Sequence, residues 1–165
     1  MGQSDQLGRA EAPATVAGTS GREIIVTQTF DSPAQAVFEA WTRPELFKLW
    51  WAPKSMGAVI SACEMDARTG GGYRITFGDG PDSATFFGSY LEVTAPSRLV
   101  WTNEESDDAP VTTVSFEDQG GRTLLVLSEL YPSAESLPDA VAGTQAMAAE
   151  QFAQLDDLLA SLRRA

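Results

Sequence analysis

The chain has 165 residues, of which 43% are hydrophobic and 21% charged, values typical of one globular domain. Its formal net charge of −12 would repel phosphate backbones, so nucleic acid is excluded as a partner. The chain contains no histidine and a single cysteine, Cys63, which excludes Ser-His-Asp and Cys-His catalysis and metal sites built from imidazole or several thiolates. We therefore predict no metal site and no cofactor.

The N-terminal segment is rich in Gly, Ala, Ser, Thr and Pro and has no hydrophobic periodicity. This composition predicts a disordered tail over residues 1–21, followed by one domain over residues 22–165. The sequence shows no secretory signal and no run of about 18 apolar residues, so no membrane insertion is expected. One cysteine forms no internal disulfide, and the cytoplasm is the expected location.

The next elements alternate between strand and helix signals. Residues 23–30 are rich in β-branched side chains and predict a strand. Ser32 and Pro33 then mark the start of a first short helix, and Thr42-Arg43-Pro44 marks the start of a second. Pro53 ends the second helix, so both short helices lie between the first two strands.

The remainder of the chain is strand-rich until its last segment. Strands are predicted over residues 58–65, 73–77, 85–93, 98–103, 111–117 and 122–130. A long C-terminal helix follows, because five apolar residues recur at helical spacing: Ala148, Phe152, Leu155, Leu159 and Leu162. The order predicts an α+β domain in which a curved antiparallel sheet of six to seven strands surrounds the long helix.

Short motifs in the same order resemble a known family. They are Phe30-Asp31-Ser32-Pro33, Ala40-Trp41-Thr42-Arg43-Pro44-Glu45, Trp50-Trp51-Ala52-Pro53, Asp66-Ala67-Arg68-Thr69-Gly70-Gly71, Phe87-Gly88-Ser89-Tyr90, Leu99-Val100-Trp101-Thr102, Gly121-Arg122-Thr123-Leu124 and Leu155-Asp156-Asp157-Leu158-Leu159. The chain resembles the SRPBCC or START-like superfamily and, within it, the bacterial homologues of the heat-shock protein 90 ATPase activator. The resemblance implies a helix-grip fold with a cavity for hydrophobic ligands. Members of the superfamily include lipid carriers, hormone receptors, polyketide cyclases and a co-chaperone domain, so the resemblance does not imply one function.

Candidate ligand-binding residues follow from strand alternation, helix periodicity and the family pattern. Alternation places apolar side chains of the middle strands on one face, which we take as the inner one. Residues 85–93 carry apolar side chains at both parities, and the family's Gly-x-Tyr pattern selects Tyr90 there. The predicted lining consists of Trp51, Tyr73, Phe77, Tyr90, Trp101, Phe116, Met147, Gln151 and Phe152. For each aromatic residue the alternative is an ordinary packed core.

These observations favour binding of a hydrophobic small molecule of lipid-like, aromatic or polyketide-like character. One alternative is a cyclase-like or hydrolase-like enzyme using Glu129, Tyr131, Asp66 or Arg68, although no catalytic residue is assigned. The other is a co-chaperone-like interaction module with a role in the stress response, which the resemblance suggests. The co-chaperone's additional N-terminal domain is expected to be lacking here, which argues against that role. We expect a monomer or weak homodimer, with chaperone contact as an open alternative.

Overall fold

An eight-stranded antiparallel sheet dominates the computed structural model, which describes residues 15–57, 59–133 and 137–164. The strands are β1 (Thr15–Ser20), β2 (Glu23–Phe30), β3 (Ile60–Met65), β4 (Gly72–Phe77), β5 (Ala84–Thr94), β6 (Arg98–Trp101), β7 (Val111–Asp118) and β8 (Thr123–Leu130). The helices are α1 (Ala34–Thr42), α2 (Pro44–Phe47) and α3 (Leu137–Arg164), and short 3₁₀ turns span Lys54–Met56 and Gly80–Asp82.

All eight strands belong to one sheet, in which the order of the strands differs from their order along the chain. Neighbouring strands run β1-β2-β8-β7-β6-β5-β4-β3, and every pair is antiparallel. After β2 the chain passes through α1 and α2 to the opposite end of the sheet, then returns strand by strand until β8 pairs with β2. This is the predicted α+β helix-grip architecture, with α3 packed against β2 and α1.

The predicted disordered tail needs correction at its C-terminal end. Residues 15–20 form β1 and pair with β2, from Thr15 opposite Thr27 to Ser20 opposite Glu23. Gly21 provides the turn between the two strands with a left-handed φ of +57°. The tail was predicted from small polar composition, which does not register that a neighbouring strand is available for pairing. The rest of the predicted tail, residues 1–14, lies outside the described residues.

Alternating burial defines the inner face of the sheet. On β2 the even positions from Ile24 to Phe30 are buried, and on β7 and β8 the same holds for alternate residues. On α3, Ala148, Phe152, Leu155 and Leu159 are buried as the spacing predicts. Leu162 is exposed, because the last turn of α3 extends beyond the core. Within the part of the chain that the structure describes, no helix is long and apolar enough to cross a membrane.

Side chains of α3 hold the connection between α2 and β3 in place. Gln154 donates through Nε2 to the carbonyls of Trp50 (2.8 Å) and Ala52 (3.0 Å), and its Oε1 accepts from the backbone N–H of Lys54 (2.9 Å). One turn earlier, Gln151 Nε2 donates to the carbonyl of Trp51 at 2.7 Å. The connection lacks regular backbone pairing here, so these amides satisfy carbonyls that would otherwise be unpaired.

Candidate ligand-binding cavity

A cavity of about 490 Å³ lies between the inner face of the sheet, the α1–α2 region and the first half of α3. It is lined by Trp41, Phe47, Trp51, Pro53, Met56, Met65, Tyr73, Ile75, Phe77, Ala84, Phe86, Tyr90, Trp101, Asn103, Glu105, Pro110, Glu129, Tyr131, Met147 and Gln151. Most of these side chains are apolar or aromatic. Met56, Phe86 and Met147 are each more than 40% exposed, so they form the rim where the cavity opens to solvent.

Most of the predicted ligand-binding residues lie in this lining. Trp51, Tyr73, Phe77, Tyr90, Trp101, Met147 and Gln151 all contribute to it. Phe116 and Phe152 do not, although both are buried on the inner side as alternation and helix periodicity predict.

Trp41 explains why Phe116 and Phe152 are separated from the cavity. The Phe116 ring packs 6.2 Å from the ring of Trp41, and Phe152 also lies 6.2 Å from it, both edge to face. On its other side Trp41 contacts the rings of Trp51 and Trp101, each at 5.8 Å. No residue of the first short helix was predicted to line the cavity, because local patterning does not show how far a side chain of that helix reaches across the sheet.

The Trp41 indole is the centre of an aromatic cluster that forms the floor of the cavity. Besides the four rings just named, Phe47 and Trp50 lie 6.4 and 4.8 Å from it. Its N–H group is buried and hydrogen bonds to no described residue, so the faces of neighbouring rings are its available acceptors. The neighbouring Trp50 N–H, by contrast, donates to the carbonyl of Ala40 at 2.9 Å. Edge-to-face packing of this kind makes the floor rigid.

Tyr73 anchors the loop that follows β6 across one side of the cavity. Its hydroxyl lies 2.8 Å from the carbonyl oxygen of Thr102 and 3.1 Å from Oδ1 of Asn103. Asn103 in turn donates through Nδ2 to the carbonyl of Pro110 (2.6 Å) and to Oγ1 of Thr112 (3.1 Å). Burial raises the pKa of the Tyr73 phenol above its usual range, and the negative charge of Glu105 adds to the effect. Tyr73 is therefore neutral and serves as a hydrogen-bonding group.

Glu129 forms the polar end of the cavity. On the sheet it is the neighbour of Thr112 on β7, and both side chains belong to the inward-facing set. Glu129 Oε1 accepts hydrogen bonds from the hydroxyl of Tyr131 (2.9 Å) and from Oγ1 of Thr144 on α3 (3.2 Å). Burial raises the pKa of the Glu129 carboxyl, and these two hydrogen bonds oppose the shift. Burial raises the pKa of Tyr131 to about 12, and the charge of Glu129 contributes.

The other polar residues considered from the sequence lie elsewhere. Asp66 and Arg68 form an exposed ion pair, with Arg68 Nε 3.0 Å from the carboxylate, and neither lines the cavity. Two further polar residues of the inner face, Gln28 and Thr112, are buried but do not line the cavity either. The structure therefore does not bring Asp66 and Arg68 together with Glu129 and Tyr131.

Several lining residues were missed by sequence reasoning, and Phe86 and Glu105 illustrate two reasons. Phe86 lies opposite Ile75 in the β4–β5 ladder, so the even positions of β5 up to Tyr90 face inward. Tyr90 is also at an even position, which agrees with its selection as a lining residue. Phe86 was missed because the sequence does not show which residues of β4 and β5 are paired. Glu105 belongs to the acidic loop after β6, and it is exposed while lining the opening. No local pattern in the sequence indicates that this loop closes over a cavity.

Comparisons with known proteins agree with this architecture. The family model described as "Activator of Hsp90 ATPase homolog 1-like protein" matches residues 31–160. A protein from Rhodobacter sphaeroides has a similar crystal structure (TM-score 0.78, 22% identity, 90% of this chain and 99% of that chain covered). A protein from Staphylococcus epidermidis, solved by NMR, is similar too (TM-score 0.77, 25% identity, 89% and 94% covered).

A third similar structure is that of an AHSA1-like protein from Aeromonas hydrophila (TM-score 0.67, 20% identity, 81% of this chain and 92% of that chain covered). At these identities the likeness of the solved structures concerns the fold. A search of curated proteins finds no significant match. The family match spans most of the domain, from the residue after β2 to the last turns of α3. The chain therefore belongs to the family of activator of Hsp90 ATPase homolog 1-like proteins.

Proposed function

We propose that this protein binds a hydrophobic small molecule in the cavity between its sheet and α3. The observation that carries the proposal is the volume of about 490 Å³ enclosed largely by apolar and aromatic side chains. Ligand pockets in proteins have volumes of roughly 300–1,000 Å³ and combine apolar walls with a few polar groups that orient the ligand. Glu129, Tyr131 and Gln151 are such polar groups.

The shape of the lining favours a ligand with a flat or chain-like apolar body. The rings of Trp41, Trp51 and Trp101 form one group in the lining, and those of Tyr73 and Tyr90 form another. Aromatic rings offer large, stiff contact surfaces and lose little conformational freedom on binding. Lipid-like, aromatic and polyketide-like molecules all fit this description.

The test is a binding screen combined with a pair of substitutions on α3. Protein purified under native conditions is analysed by native mass spectrometry for copurifying molecules, and a panel of apolar compounds is screened by melting temperature and tryptophan fluorescence. Met147→Trp narrows the rim of the cavity and should weaken binding. Leu162→Trp is the matched control, since Leu162 is 41% exposed, Met147 is 42% exposed, and only Met147 lines the cavity. Equal effects of the two substitutions, or no binding by any compound, would contradict the proposal.

A second candidate function is general acid–base catalysis on the bound molecule. It is favoured by one observation: a carboxyl with a raised pKa, Glu129, lines the cavity within 2.9 Å of the Tyr131 hydroxyl. Groups of this kind transfer protons to bound substrates when their pKa lies near the working pH. Incubating each identified ligand with the protein, and with Glu129→Gln, would reveal turnover by mass spectrometry. A ligand recovered unchanged after prolonged incubation argues for binding alone.

A further inference from the structure

The charged side chains that line the cavity all carry the same sign. They are Glu129 at its polar end and Glu105 at its opening. Among the described residues of the lining there is no lysine and no arginine. An anionic ligand would therefore meet two carboxylates and no cation, at a cost that grows as the site is desolvated.

Glu129 is held in place on one oxygen only. Tyr131 and Thr144 both donate to Oε1, whereas no described residue donates a hydrogen bond to Oε2 or forms an ion pair with this carboxylate. A buried carboxylate is costly unless a donor or a cation compensates its charge. Two fixed hydrogen bonds orient the group and leave Oε2 available to a ligand in the cavity.

Aromatic side chains follow Glu129 and Thr112 along one row of inward-facing positions of the sheet. Along one row of paired positions, Glu129 lies opposite Thr112, Thr112 opposite Trp101, and Trp101 opposite Tyr90. Neighbouring inward-facing side chains in such a row are about 5 Å apart at their Cβ atoms. A positive group bound to Glu129 would have the carboxylate as its counter-ion, while the rings of Trp101 and Tyr90, two and three strands away, offer contact surface to an apolar body.

We propose that the ligand of this cavity is a lipophilic amine, with its protonated nitrogen bound to Oε2 of Glu129 and its apolar body against the aromatic walls. The inference rests on the proposed function, since it names the class of molecule that the same cavity takes. A net charge of −12 on the whole protein attracts the same class of molecule from solution. The pairing with Glu129 then distinguishes an amine from other apolar molecules of equal size.

The experiment compares three probes of equal chain length: decylamine, decanol and decanoic acid, each below its micelle-forming concentration. Binding is measured by calorimetry and by tryptophan fluorescence at neutral pH. The amine should bind more tightly than the alcohol, and the acid most weakly. Glu129→Gln should weaken decylamine binding by about tenfold to a hundredfold, the range expected for one lost hydrogen bond between charged groups, and leave decanol within about twofold.

Glu117→Gln is the matched control, because Glu117 is exposed on β7, outside the cavity lining, and its replacement removes the same net charge. This variant should bind decylamine like the wild type, since distant surface charge is screened by salt. Equal affinity for decanol and decylamine, or an equal loss in both variants, would overturn the assignment to amines while the binding cavity stands. Absence of binding by all three probes would overturn the cavity's function as well. If Glu129→Gln fails to fold, the comparison of amine with alcohol in the wild type decides the question.

Discussion

Replacing Gly88 with alanine tests how the Tyr73 wall of the cavity is built. Gly88 lies on β5 directly opposite Tyr73 on β4. A Cβ atom placed on Gly88 would lie 2.0 Å from the carbonyl oxygen of Thr102 and 2.8 Å from the Tyr73 hydroxyl. Both distances are shorter than any ordinary van der Waals contact. The absence of a side chain at residue 88 is therefore what allows the Tyr73 ring and the Thr102 carbonyl to meet.

The cost of Gly88→Ala has two parts. Relieving the contact requires the Thr102 carbonyl and the Tyr73 ring to move apart, and overpacking of this kind costs about 1–3 kcal/mol. The displacement also weakens the 2.8 Å hydrogen bond between the two groups, which contributes about 1 kcal/mol. The free energy of unfolding should fall by about 2–4 kcal/mol. For a domain of this size that corresponds to a decrease in melting temperature of roughly 4–16 °C.

Denaturant unfolding of Gly88→Ala, Tyr73→Phe and the double variant separates the cost of the steric contact from the cost of the weakened hydrogen bond. If alanine displaces the tyrosine, Tyr73→Phe should cost less in the Gly88→Ala background than in the wild type. Gly143→Ala is the control, since a Cβ there meets nothing within 4 Å and alanine favours an exposed helix by up to about 1 kcal/mol. Destabilisation by Gly88→Ala of less than about 0.5 kcal/mol would refute this explanation, because it would mean that the strands separate without strain.

Three further predictions concern the groups around the cavity. Because burial raises the pKa of Glu129, the folded protein binds the proton of this carboxyl more tightly than the unfolded chain does, and the free energy of unfolding should fall as pH rises above about 4.5. Glu129→Gln should reduce that fall when unfolding is measured as a function of pH. An unchanged pH profile in the variant would contradict the prediction. Gln154→Leu leaves two carbonyls and one N–H of the α2–β3 connection unpaired and should cost about 2–3 kcal/mol, measured against Gln145→Leu on the exposed side of α3. Trp50→Phe removes the buried hydrogen bond to Ala40 together with part of the packed ring and should lower stability by about 2–4 kcal/mol, so near-neutral behaviour in thermal unfolding would argue against a rigid floor.

The architecture followed from the sequence because each element carries its own periodicity. The β-branched run over residues 23–30 and the apolar run over residues 122–130 predict strands, and the four-three spacing on α3 records which side of that helix is buried. The first strand of the sheet was missed for a physical reason. Residues 15–20 have weak hydrophobic patterning, and β1 exists as a hairpin partner of β2, which local composition does not encode.

The candidate site was less accessible to sequence reasoning, because a lining depends on distances between elements. Alternation identified the inward side of each strand but not how far α1 reaches over it. Phe116 and Phe152 therefore face inward and still lie behind Trp41. Gln151 illustrates the same limit in another way. It was predicted to line the cavity, and it does, but its amide also donates a hydrogen bond to the carbonyl of Trp51.

The cavity remains open because polar contacts fix its edges while aromatic rings form its walls. At one edge Gln151 connects α3 to the segment carrying Trp51, and at another Thr144 connects α3 to Glu129 on the sheet. The Thr144–Glu129 bond fixes α3 relative to the sheet at its edge, and the Gln151–Trp51 bond fixes the segment that carries Trp51. The rings between them are too bulky to rearrange without leaving their edge-to-face contacts. Gln151 and Glu129 take part in these hydrogen bonds and also line the cavity, which is why they are the groups available to orient a ligand.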